Sequence, residues 1–165
     1  MLFVVTAPLY RQFDAMWELE WALGEDVSVK KTKYPGVILA RTPRSREDAV
    51  RALKEYETTA IFKAIPLDFL ISCTREDLME TVLTAARAGI TAEDSFAVRV
   101  KRRGTRLAES SRDLERDIGA RIVDEVGATV TLDYPSKTVR VEIFGTKVGV
   151  AVLGPDDIVT KEVAE

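Results

Sequence analysis

The sequence has no histidine, no asparagine, a single glutamine, Gln12, and a single cysteine, Cys73. Without histidine there is no imidazole general base, no Ser-His-Asp or Cys-His nucleophile system and no histidine ligand for zinc. One cysteine excludes an intrachain disulfide and a cysteine-rich zinc site. No Gly-x-Gly-x-x-Gly or Walker-type loop occurs, so the usual cofactor and nucleotide fingerprints are missing too. No cofactor and no metal are expected, and only carboxylate or lysine chemistry remains open to a catalyst. No apolar run approaches the roughly 18–20 residues that cross a bilayer. The apolar opening MLFVVTAPLY lacks a preceding basic region and soon meets Arg11 and Asp14, so it reads as a first strand rather than a leader. A cytoplasmic protein without membrane contact is the expectation. Depleted amides beside abundant charge fit a thermophile, and a biased genome composition would look the same.

What is present is enough for a core. The 165 residues are 46% hydrophobic and 31% charged, which fits one soluble domain or two small ones. LFVVTA at 2–7 reads as a strand, followed by helical spacing from Leu9 to Leu23 with Gly24 as a stop. Strands are expected at 27–33 and 36–41, joined through Tyr34-Pro35-Gly36. Ser45 and Asp48 form a capping pattern for the next helix, and the run 61–72 reads as one strand bent or at an edge because of Pro66. This β-α-β-β-α-β order is the ferredoxin-like unit. Thr74 and Asp77 then cap another helix. A strand alternating Phe96, Val98 and Val100 with Ala97, Arg99 and Lys101 follows, then a helix capped by Ser110 or Ser111 with Leu114, Ile118, Ile122 and Val126 inside. Strands at 129–133, 138–144 and 147–153 complete the pattern, and the acidic tail after Gly154 reads as frayed. The fold class is therefore α+β, with residues 1–73 as a ferredoxin-like domain, 74–154 as an α/β domain and 155–165 as a tail.

The charge is unevenly placed. The whole chain carries −3, yet residues 96–113 hold six basic and two acidic residues, leaving −7 for the rest. On an extended strand Arg99, Lys101 and Arg103 project to one side at about 7 Å intervals, a spacing suited to a phosphate backbone. Arg102 belongs to the same run, Gly104 permits a turn, and Arg106 and Arg112 extend the patch to a helix N-terminus, where free N–H groups favour an anion. Concentrated positive charge in an acidic molecule is a nucleic-acid footprint; a charged edge strand that resists aggregation is the plainer alternative. Lys137, Arg140 and Lys147 form a sparser second set, which joins the first only if their strands pair with 96–103. Lys30, Lys31, Lys33, Arg44 and Arg46 read as ordinary surface. Phe13, Trp17 and Trp21 read as core or interface packing, Phe62 and Phe69 as core, and Cys73 as a buried inert thiol.

FAVRVKRRGTR, the helix SSRDLERDIGARIVDEVG and LDYPSKTVRVEIFGTKVGVAVLG together resemble a THUMP domain, an RNA-binding module of tRNA-modifying systems. The preceding unit resembles the ferredoxin-like domain that accompanies THUMP. In multidomain relatives THUMP delivers tRNA to an attached methyltransferase, pseudouridine synthase, deaminase or thiouridine synthetase. Here nothing catalytic follows, so the chain resembles stand-alone THUMP proteins, including the adaptor used with the tRNA cytidine acetyltransferase. The resemblance implies a non-catalytic adaptor that grips the acceptor stem and 3′ end of tRNA and presents it to a separate tRNA-modifying enzyme. It carries over to Arg99, Lys101, Arg102, Arg103 and Arg112, and to Lys137, Arg140 and Lys147. A catalytic subunit and a protein-binding scaffold are the alternatives.

Overall fold

The computed structural model describes residues 1–105 and 107–164, so Arg106 lies outside the described residues. The chain forms two compact units, Met1–Leu67 with the stretch from Asp156 onwards, and Asp68–Pro155.

The first unit follows the expected order: β1 (Leu2–Thr6), α1 (Gln12–Leu23) after a 3-10 turn at Leu9–Arg11, β2 (Ser28–Lys31), β3 (Val37–Arg41), α2 (Arg46–Glu55) and β4 (Lys63–Leu67). All pairings are antiparallel, and the strand order β4-β1-β3-β2 is that of a ferredoxin-like sheet. Phe3, Val5, Ile38 and Ala40 on the sheet bury against Ala15 and Leu19 of α1 and Ala49 and Leu53 of α2. Ser45 caps α2 by accepting from the Asp48 N–H at 3.2 Å. The only glutamine is buried, and its Oε1 accepts from the Gly36 N–H at 2.9 Å. Gly36 has φ +75°, and a Cβ there would lie 2.2 Å from the Ala7 carbonyl oxygen, so only glycine closes this turn.

Two expectations at the edge of this unit need correction. The run 61–72 is not one strand: β4 ends at Leu67, and β5 (Phe69–Ser72) belongs to the other sheet. Asp68 makes the change of sheet, since its N–H donates to Val150 O at 2.9 Å and its carboxylate accepts from the Val152 N–H at 2.9 Å. The two compact units divide at 67/68. The tail does not fray either. Its strand β10 (Val159–Thr160) pairs with β4, Val159 is buried, and the Lys161 N–H donates to Phe62 O.

The second unit continues with α3 (Arg75–Gly89), β6 (Ser95–Thr105), α4 (Ser111–Val126), β7 (Thr129–Val130), β8 (Lys137–Gly145) and β9 (Lys147–Leu153). Its sheet has the order β5-β9-β8-β6-β7; β6 runs parallel to β7 and β8, and the remaining pairs are antiparallel. Both helices cover one face, where Leu78, Val82, Leu114, Ile118 and Ile122 meet Phe96, Val98, Val139, Val141, Val148 and Val150. Thr74 and Ser110 cap the helices by accepting from the N–H groups of Asp77 and Asp113 at 3.1 Å each, which assigns the α4 cap to Ser110. Gly127 ends α4 in the left-handed conformation. The expected strand at 129–133 shrinks to two residues, and 138–144 lengthens by one residue at each end. Gly104, at φ +59°, makes a bulge rather than a turn, and β6 resumes pairing at Thr105 opposite Gly145.

A hydrogen-bonded knot fixes the starts of β6 and β8. Asp94 accepts from the Thr91 N–H and the Ser136 hydroxyl at 2.9 Å each, while Ser136 and Ser95 exchange backbone-to-hydroxyl bonds of 2.9 and 3.0 Å. The Thr91 N–H above all, then the Ser136 hydroxyl, holds the Asp94 carboxyl below its usual range.

Two predictions follow from these contacts. Removing residues 156–165 lowers the unfolding midpoint of the chain by several degrees, whereas a frayed tail would be lost without effect. Because the Asp94 pKa is depressed on folding, its stabilising contribution is complete above the ordinary carboxylate range and disappears as pH falls through the lowered value. Asp94→Asn therefore flattens the acid limb of the midpoint-versus-pH curve.

Candidate nucleic-acid interface

The parallel pairing of β6 with β8 does what the spacing alone could not establish: it places Arg99 directly beside Arg140. Alternation along each strand then sorts the cations. Arg99, Lys101 and Arg103 share the sheet face opposite the helices with Arg140 and Glu142 of β8, and the β8–β9 hairpin adds Lys147 to that face opposite Phe144. Gly145, at φ +68°, makes that hairpin turn.

These five cations are not equivalent. Glu142 has no exposed surface, and Arg103 and Arg140 both reach it, at 3.1 Å from Arg103 Nη1 and 3.2 Å from Arg140 Nε. Their side chains are only 16% and 19% exposed. The three groups carry one net positive charge, locked in geometry by the sheet. Lys101 and Lys147 are exposed and make no hydrogen bond or ion pair among the described residues. Arg99 is exposed and donates once, to Leu132 O at 3.3 Å.

The remaining sequence-predicted residues lie elsewhere. Arg102 points to the helix side, where its guanidinium donates to Leu107 O at 3.0 Å and to Glu109 O. It ties down the segment entering α4, which Arg75 also holds through Glu109 at 2.7 Å and Asp117 at 2.9 Å. Lys137 starts β8 on the helix side beside Phe96, close to the Asp94 carboxylate, and is separated from Arg140 and Lys147. Arg112 stands exposed in the first turn of α4.

Arg112 nevertheless meets Arg99. Both line a groove of about 610 Å³ along the edge of the sheet, with Arg116, Glu115, Gly119 and Ala120 of α4, and with Val98, Val130 and Leu132. The groove has a mostly apolar floor and three guanidiniums at its rim. Arg116 was missed from the sequence, although Arg112 and Arg116 stand one helical turn apart. Beyond it Leu132 is exposed, and Tyr134 is fully exposed with a left-handed φ of +52°. Val130, Leu132 and Tyr134 alternate, a period that could have marked them as a shared face. An apolar platform beside cations suits a nucleobase and its phosphate.

The two units together define a class: an α+β protein in which a ferredoxin-like unit precedes a mixed sheet covered on one face by two helices. Residues 73–153 match the THUMP domain family, which is associated with RNA binding and tRNA-modification enzymes. The uncharacterized protein MJ0421 of Methanocaldococcus jannaschii is 28% identical over 120 residues, which cover 72% of this chain and 31% of that protein. The crystal structure of PH1313 from Pyrococcus horikoshii OT3 superposes with a TM-score of 0.75 at 18% identity, over 92% of this chain and 54% of that one. A 4-thiouridine synthetase in complex with RNA and bound ATP gives a TM-score of 0.70 at 15% identity, over 96% of this chain and 41% of that one. At these identities the likeness to solved structures is one of fold. This chain spans between about a third and about half of the length of these relatives. Among the described residues no helix is long and apolar enough to cross a membrane.

Removing the buried carboxylate leaves Arg103 and Arg140 facing each other without a counter-charge. Glu142→Ala is expected to lower stability by about 3–5 kcal/mol in denaturant titrations, whereas Lys101→Ala changes it by no more than about 0.5 kcal/mol.

Proposed function

We propose that this protein is a non-catalytic tRNA-binding adaptor that presents the acceptor stem and 3′ end of tRNA to a separate tRNA-modifying enzyme. The observation that carries the reading is the edge groove where Arg99, Arg112 and Arg116 stand around an apolar floor, with the exposed Lys101 on the strand that supplies Arg99, in a chain that is otherwise strongly acidic. Lys101, Lys147 and the rim arginines Arg99, Arg112 and Arg116 contact phosphates. The paired Arg103 and Arg140 contribute their single net charge as a fixed background. Arg102 and Lys137 support the site without touching RNA. Phosphate contacts supply affinity, and the splayed 3′ nucleotides, stacked over the groove floor, supply selectivity.

The THUMP domain match and the RNA held by the structurally similar 4-thiouridine synthetase support the substrate class. The resemblance in architecture to the adaptor of the tRNA cytidine acetyltransferase makes cytidine acetylation the first modification to examine.

Salt-titrated binding to whole tRNA tests the reading. With about five phosphates neutralised, log K falls against log salt with a slope near −4. Trimming the 3′ end weakens binding, Lys101→Glu with Arg112→Glu abolishes it, and Lys30→Glu with Lys33→Glu leaves it within a few fold. A flat salt response, or tight binding by the Lys101→Glu/Arg112→Glu protein, contradicts the assignment.

A further inference from the structure

Helix α1 has two apolar faces, and only one of them is used. Ala15, Leu19, Ala22 and Leu23 are buried against the sheet of the first unit. On the opposite side Phe13, Trp17 and Trp21, at successive i, i+4 positions, are 66%, 70% and 73% exposed. Three large aromatics aligned along a surface helix form a patch of the kind that marks an interaction site.

The charges around the stripe are arranged end to end. At its N-terminal end the Lys31 ammonium lies 5.3 Å from the centre of the Phe13 ring. At its C-terminal end Glu20 and Glu25 line a groove with Trp21. Strand β2 runs back along α1, so Lys31 and the two glutamates flank the same side of the stripe.

This pattern is self-complementary. A two-fold axis lying in the plane of contact and crossing α1 at Trp17 makes two such helices antiparallel and keeps each flank on its own side. Trp17 then meets Trp17, Phe13 meets Trp21, and Lys31 of each copy meets Glu20 and Glu25 of the other. An RNA occupant is disfavoured, because the two glutamates would face phosphates. We propose that the exposed face of α1 binds a second copy of this chain, forming an isologous dimer through Phe13, Trp17 and Trp21.

The area sets the strength. At roughly 150–250 Å² for each aromatic side chain, the exposed parts offer about 300–500 Å² per copy. Two copies reach about 600–1,000 Å², the low end for a specific interface. The dimer is therefore weak and reversible.

Sedimentation equilibrium of the full chain over a wide concentration range tests this. The protein is expected to dimerise with an affinity that falls with salt, and Trp17→Glu to keep it monomeric with an unchanged circular dichroism spectrum. Lys31→Glu alone, and Glu20→Lys with Glu25→Lys alone, each raise the dissociation constant by about tenfold or more, because like charges are set against each other. Mixing these two variants restores opposite charges at both ends and gives a heterodimer at wild-type affinity. A chain that stays monomeric, a dimer indifferent to Trp17→Glu, or variants that do not rescue each other would overturn the proposal. So would RNA crosslinks at Trp17 or Trp21.

Discussion

The Glu142 carboxylate lies in the middle of a central strand with no exposure to water, and both Arg103 and Arg140 turn toward it. A lone buried carboxylate costs several kcal/mol, and two guanidiniums on one sheet face repel each other. The triad resolves both problems at once. It spans β6 and β8 in addition to their backbone ladder, and it fixes which cations on this face stay unpaired. Lys101, one register step from Arg103 along the same face, stays exposed and without an ion pair among the described residues because Glu142 is already engaged.

This division of labour answers why an acidic protein gathers so many positive charges in so short a stretch. Some of them hold the surface together. Arg102 pins the segment before α4, Arg103 neutralises the centre of the sheet, and Arg99 crosses to the edge to meet Leu132. The capped start of α4 then brings Arg112 to the same edge. What reaches solvent is a smaller set of cations on a stiff frame, around a groove floored by Val98, Gly119, Ala120 and Val130. A preorganised array loses less side-chain freedom when a polyanion settles on it.

Local chemistry was legible in the sequence, and tertiary choices were not. The Ser45, Thr74 and Ser110 caps could be read because a hydroxyl and an N–H three residues on are neighbours in the chain. The alternating faces of β6 were equally plain. The change of sheet at Asp68 was hidden, since an unbroken apolar run gives no sign that two strands on either side of one residue pair with different partners. Burial of Glu142 was hidden for the same reason: in Val-Glu-Ile-Phe it looks like a solvent-facing alternate, and Arg103 from another strand joins Arg140 to make its burial tolerable. The aromatic stripe of α1 misled in a different way. Bulk suggested the core, but Ala15, Leu19, Ala22 and Leu23 already form a complete inner face, and one helix cannot present two faces to one sheet.

We propose a division within one basic cluster, with exposed cations for RNA and buried ones for the frame. Ultraviolet crosslinking of the protein to tRNA, with the modified peptides identified by mass spectrometry, tests it most directly. Crosslinks are predicted in the peptides carrying Arg99 and Lys101, the start of α4 at Arg112, and the Leu132–Tyr134 segment. Crosslinks confined to the first unit, around Lys30 and Lys33, would contradict it.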